Sequence, residues 1–212
     1  LLNVRHINSG FLEQNNTVTT LYLPNVKTIG AEFMCKNRIL ETLTLTRVEK
    51  IGAYFLRNNL ILKTLDLPSV KYIDHHFMQK NKNLEIINIP KVESIGSVFL
   101  ENNLKLKRLE LPNVKCINDH FLKRNCILEE IIMPNIEQIG SYFLRNNIRL
   151  TKLDLSKVKN IGSFCLEQNR VLEKIILPLH YVDDIAFISF ISKSFISKQK
   201  KLIKCKIEYS VQ

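Results

Sequence analysis

The stretch Ile95–Cys116, IGSVFLENNLKLKRLELPNVKC, decides the architecture, because the chain repeats it with little drift. The pattern is I-G-x-x-F-L-x-x-N-x-x-L-x-x-L-x-L-P-x-V-x-x. Its opening Ile recurs at Ile7, Ile29, Ile51, Ile73, Ile95, Ile117, Ile139 and Ile161. Copies of constant length in fixed register mean stacked coils in which equivalent residues pile into columns. One coil cannot bury enough apolar surface to offset the entropy of ordering itself, so stability must come from its neighbours.

Each repeat divides into three pieces. The L-x-x-L-x-L-P segment alternates apolar and polar residues in its second half, which predicts a short strand ended by Pro at its margin. In P-x-V-x-x-I-G the second repeat position holds Gly30, Gly52, Asp74, Gly96, Asn118, Gly140 or Gly162. These are residue types that accept positive φ, so a corner is expected there. The x-x-F-L-x-x piece reads as one or two helical turns across the back of the coil, closed by Asn15, Asn37, Asn59, Asn81, Asn103, Asn125, Asn147 or Asn169. The Asn column is expected to supply a left-handed closing residue and an amide ladder to backbone groups of the next coil.

Two charge columns alternate in sign. One reads Lys27, Glu49, Lys71, Glu93, Lys115, Glu137, Lys159; the other reads Glu41, Lys63, Glu85, Lys107, Glu129, Thr151, Glu173. At strand spacing such columns put opposite charges side by side and fix the stacking register.

The strand half, L-x-x-L-x-L, matches the leucine-rich repeat signature, and the P-x-V-x-x-I-G-x-x-F-x-x-x-N order resembles the BspA-like, Treponema-type leucine-rich repeats. The shorter coil and the F-L pair also resemble repeats of effector proteins that pathogens such as Legionella deliver into host cells. The resemblance implies an α/β solenoid: a right-handed leucine-rich repeat horseshoe, with a parallel β-sheet on the concave face and short helices on the convex face. On this reading residues 1–6 end a preceding truncated repeat, 7–182 form eight 22-residue repeats, and 183–212 form a C-terminal cap. The family implies a protein-binding scaffold with no active site. The expected location is the host-cell cytosol, with the cell surface (a BspA-type adhesin) and the bacterial cytoplasm as alternatives.

In such a horseshoe the strand side chains pointing outward line the concave face. From the fourth coil onward these columns mix Ile with charged residues, which suits the centre of a protein interface. The candidate site is Ile86, Asn88, Arg108, Glu110, Glu130, Ile132, Lys152, Asp154, Lys174 and Ile176. The earlier coils, Thr20/Tyr22, Thr42/Thr44 and Thr64/Asp66, read as bland.

Enzyme chemistry finds no support. His76 and His120 share a repeat position two coils apart, too far for joint ligation or a proton relay, and His6, His75 and His180 are scattered. No metal or cofactor is expected. Cys35, Cys116, Cys126, Cys165 and Cys205 fall at unrelated positions and read as free thiols, which favours a reducing compartment. The net charge of +11 raises nucleic acid or an acidic membrane surface, with Lys80, Lys82, Lys123, Arg124, Arg145 and Arg149 as a convex patch. A mixed-sign concave face that nearly lacks aromatics argues against nucleic acid. An acidic protein partner explains the charge equally well. No apolar run approaches the length of a membrane span, and a monomer is expected.

Overall fold

Residues 22 apart face each other, because each repeat closes one coil of a parallel solenoid. A computed structural model of the chain describes residues 3–178 and 206–210. The strands are β1 (His6–Ile7), β2 (Thr20–Tyr22), β3 (Thr28–Ile29), β4 (Thr42–Thr44), β5 (Lys50–Ile51), β6 (Thr64–Asp66), β7 (Tyr72–Ile73), β8 (Ile86–Asn88) and β9 (Ser94–Ile95). They continue as β10 (Arg108–Glu110), β11 (Cys116–Ile117), β12 (Glu130–Ile132), β13 (Gln138–Ile139), β14 (Lys152–Asp154), β15 (Asn160–Ile161), β16 (Lys174–Pro178) and β17 (Lys206–Ser210).

Two parallel ladders result. The odd-numbered strands β1 to β15 form one continuous eight-stranded sheet, in register Ile7 over Ile29, Ile29 over Ile51 and onward. This ladder stands where the letters suggest only a corner. The L-x-L strands are grouped differently: β2 with β4, β6 with β8, β10 with β12, and β14 with β16 and β17. Strand β17 pairs with β16 from Lys174↔Lys206 to Pro178↔Ser210. The rest of the expected cap, with Cys205, lies outside the described residues, as do residues 1, 2 and 179–182, with His180.

The expected helices are not there: among the described residues the F-L segment forms a ribbon of successive tight turns. In the second coil Glu32, Met34 and Lys36 have φ of 60, 46 and 60°. The same alternation recurs in the later coils, for example at Val98, Leu100 and Asn102. From the second to the seventh coil each left-handed residue sends its N–H to a neighbouring coil, alternately forward and back. Glu32 donates to Ala53 O at 2.7 Å, Met34 to Phe11 O at 2.8 Å, and Lys36 to Arg57 O at 2.7 Å. Spacing explains why a helix loses. The stacked rings of Phe33, Phe55, Phe77, Phe99 and Phe121 recur every 5.3–5.4 Å, whereas a helix is ~10 Å wide or more and cannot repeat at that interval. The ribbon is as narrow as the strands opposite, and its inter-coil hydrogen bonds offset the cost of left-handed backbone, ~1–2 kcal/mol per residue.

The core is one continuous column set. Ile, Phe, Leu and Val of the repeat are buried in coil after coil, for example Ile95, Phe99, Leu100, Leu106, Leu109, Leu111 and Val114. Cys165 stands where the Phe stack would continue, and its thiol meets Gly162 O at 3.1 Å and Gly140 O at 3.2 Å. The Asn ladder is present. The Nδ2 atoms of Asn59, Asn81, Asn103, Asn125, Asn147 and Asn169 each donate one coil back, to Met34, Leu56, Met78, Leu100, Leu122 and Leu144, at 2.8–3.0 Å. The left-handed residue is the one before the Asn (Lys36, Asn58, Lys80), not the Asn itself.

The repeat glycines also differ from expectation. They do not have positive φ; they are short of space. A Cβ on Gly96 would lie 2.6 Å from the carbonyl carbon of Asp74 and 2.6 Å from His75 N. The first charge column closes in part, at Lys27–Glu49 (3.6 Å), Lys71–Glu93 (3.9 Å) and Lys159–Glu137 (2.6 Å). The Lys159 hydrogen bond holds the Glu137 carboxyl below its usual range. In the second column Glu85 meets Lys105 at 4.0 Å instead of a column neighbour.

Candidate functional site

Alternation along each L-x-L strand sends the middle residue into the core and its two neighbours outward. Thus Leu109 is buried between exposed Arg108 and Glu110, and Leu153 between exposed Lys152 and Asp154. Ile86, Asn88 and Glu130 are likewise exposed, and Ile132 is half-buried. Lys174 and Ile176 are half-buried beside β17, where Lys174 pairs with Glu208 at 2.5 Å. Eight of the sequence-predicted residues therefore share one open strip, while the last two sit against the terminal strand.

Within that strip the polar groups are linked. The Arg108 guanidinium contacts Glu110 on its own strand and Glu130 of the next coil, the latter at 2.8 Å from Nε. Asn88 donates to Asp66 Oδ1 at 2.8 Å. Asp154 serves its own turn, accepting from Ser156 N at 2.9 Å. These ion pairs are exposed, so their worth is ~0–1 kcal/mol each; they shape the surface more than they hold it.

The apolar feature is Ile86, 61% exposed on the edge of a groove of about 820 Å³ between β8 and β10. Ile87, Pro90, Pro112 and Ile127 add apolar lining, and Lys105 and Lys107 stand beside Arg108 on the rim. A smaller groove of about 360 Å³ lies between β12 and β14, lined by Ile132, Met133, Asp154 and Lys157 among others. Both open where two hydrogen-bonded strand pairs meet rather than within a pair. Sequence reasoning missed Lys105, Lys107 and Ile127. The signal for the groove was the Ile86–Ile87 doublet, which breaks the polar-apolar alternation of that coil. It also passed over Tyr22, 58% exposed in a Thr-rich column.

The opposite ribbon carries aromatic stacks rather than a catalytic pair. His76 stacks on Tyr54 and His120 on Tyr142, both at 4.5 Å between ring centres. Burial, then the Lys123 ammonium 3.4 Å from Nδ1, pushes the His120 pKa below 6.5. Lys123 in turn meets Glu101 at 3.5 Å, which accepts from Gln79 Nε2 at 2.6 Å. Among the described residues no group of three His, Cys, Asp or Glu side chains is placed to hold a metal ion. Cys35, Cys116, Cys126 and Cys165 are free thiols.

Comparison with known proteins gives the same architecture. The fold is similar to that of a leucine-rich repeat protein from Bacteroides ovatus, with a TM-score of 0.70 at 17% identity, covering 98% of this chain. The chain spans 58% of the length of that structure. No curated protein matches the sequence. The family model described as the BspA type leucine rich repeat region (6 copies) matches residues 5–126 and again 124–206. The solenoid whose Ile, Phe, Asn and Leu columns are described above therefore belongs to the BspA-type leucine-rich repeat family.

Proposed function

We propose that this chain is a non-enzymatic protein-binding module, and that it binds through the open L-x-L strip centred on Ile86, Arg108, Glu110, Glu130, Ile132, Lys152 and Asp154. The observation that carries the reading is Ile86, a large apolar side chain held in the open on an ordered strand and flanked by charged groups. Interface centres have this composition: an apolar anchor with Arg beside it and a polar rim around it. The partner in this reading is a protein, and an acidic one suits the +11 net charge.

The working location in this reading is the cytosol of a host cell, as a delivered bacterial effector or a regulator of one. The second reading, a surface adhesin, is favoured by membership of the BspA-type family. Antibody labelling of intact, unpermeabilised cells separates the two: labelling supports the adhesin, and protection supports the effector. Nucleic-acid binding is disfavoured by the charge of the strip itself. The strip is mixed in sign, and its Arg108 is already paired with Glu110 and Glu130.

Affinity capture from host and bacterial lysates, with Arg108→Glu plus Ile132→Asp as the control bait, tests the site. Loss of the captured protein from the double variant supports it. Equal capture by both baits removes the strip as the binding surface and leaves the fold untouched.

A further inference from the structure

The groove between β8 and β10 sets apolar side chains among cations. We infer that it takes a segment of the partner that carries a bulky apolar side chain next to a carboxylate. This rests on the reading of the strip as the binding surface, and it adds the chemistry of what is bound.

Two observations carry it. First, β8 and β10 belong to different hydrogen-bonded pairs, and the groove opens where those pairs meet. Second, the lining divides by chemistry. Ile86, Ile87 and Ile127 are apolar, while three cations and two carboxylates stand around them. Two of those cations are engaged, Lys105 with Glu85 and Arg108 with Glu110. Lys107 makes no ion pair within 4 Å among the described residues, which leaves a cation for an incoming carboxylate. A similar apolar lining recurs two coils on, where the junction of β12 and β14 sets Ile132 and Met133 beside Lys157, whose ammonium donates to Asn135 Oδ1 at 3.0 Å.

Panning a random dodecapeptide display library against the full chain tests this, with enriched peptides resynthesised and measured by fluorescence anisotropy. Ile86 is exposed, so Ile86→Asp leaves the core intact, and circular dichroism checks its fold. The expected result is enrichment of peptides pairing Asp or Glu with Leu, Ile or Phe, bound at least about tenfold more weakly by Ile86→Asp. Lys107→Glu is expected to shift preference from acidic to basic peptides. The inference is overturned if no peptide is enriched, if enriched peptides are basic, or if both variants bind as the intact chain does. It is also overturned if a second copy of the chain or an oligonucleotide displaces the peptide. A whole protein captured through Arg108 and Ile132 in the absence of any enriched peptide sinks this inference alone and leaves the binding strip standing.

Discussion

Asn103 Nδ2 donates both to Met78 O one coil back, at 3.0 Å, and to Leu100 O in its own coil, at 2.8 Å. One buried amide thus ties a turn to itself and to its neighbour, and the next Asn repeats the arrangement, with Asn125 reaching Leu100 at 2.9 Å. Replacing Asn103 with Ala leaves Met78 O buried without that donor, at a cost of about 2 kcal/mol. Urea unfolding measures it. A midpoint equal to that of the intact chain shows the ladder to be incidental.

Gly96 tests the packing of the same coils from another side. Its place over Asp74 leaves no room for a methyl group, since both contacts at 2.6 Å are to backbone. Gly96→Ala is expected to destabilise by ~1–3 kcal/mol through overpacking. Thermal unfolding reads the change, and an unchanged midpoint would refute the argument from space.

The pH dependence of stability has a predicted sign at His120. Burial and Lys123 keep its imidazole neutral in the fold, below the 6.5 of the free side chain. Below pH 6.5 the unfolded chain therefore binds more protons than the folded one. This contribution is full above pH 6.5 and is lost as the pH falls toward the lower folded value. Glu101 and Asp119 act in the opposite sense and Arg145 in the same sense as Lys123. His120→Gln should lose less stability than the intact chain between pH 7.5 and 5.5. Equal losses in paired melting curves count against the assignment.

Thiol reactivity divides along burial. Cys165 is pushed up to about 12 by burial, and Cys35 is raised by burial and then by the Glu13 charge. Cys116 lies exposed on the odd-strand sheet. Native iodoacetamide treatment at pH 8 should modify Cys116 and spare Cys35 and Cys165, as read by peptide mass mapping. Modification of Cys165 without denaturant would contradict the described core.

Much of the solenoid is readable from its letters because burial writes itself into columns. The Ile, Phe, Leu and Val registers, the Asn ladder and the outward strand positions each follow from a period of 22. The ribbon does not, for a physical reason. Its left-handed residues are mostly of types such as Glu32, Met34, Tyr54, Val98 and Leu100 that do not favour positive φ, with Asn58, His76 and a few others that do. Only the hydrogen bonds to adjacent coils select that backbone, and those depend on a coil spacing that no single repeat displays. The odd-strand ladder was hidden likewise, since two residues such as Thr28–Ile29 are too short a run to show alternation. At the candidate strip, exposure was legible. The groove was not, because it depends on which strand pairs close and which stay apart.

The alternating ribbon makes residue count as binding a constraint as residue type. Every second amide of the ribbon reaches a neighbouring coil, so one residue gained or lost ahead of Phe99 would set a turn-closing N–H where a cross-coil donor is needed. A substitution there costs a side chain, whereas a frame slip of one unhooks a whole rung from both sides. The solenoid can thus vary the letters on its open strip freely while its coils stay locked to a single length.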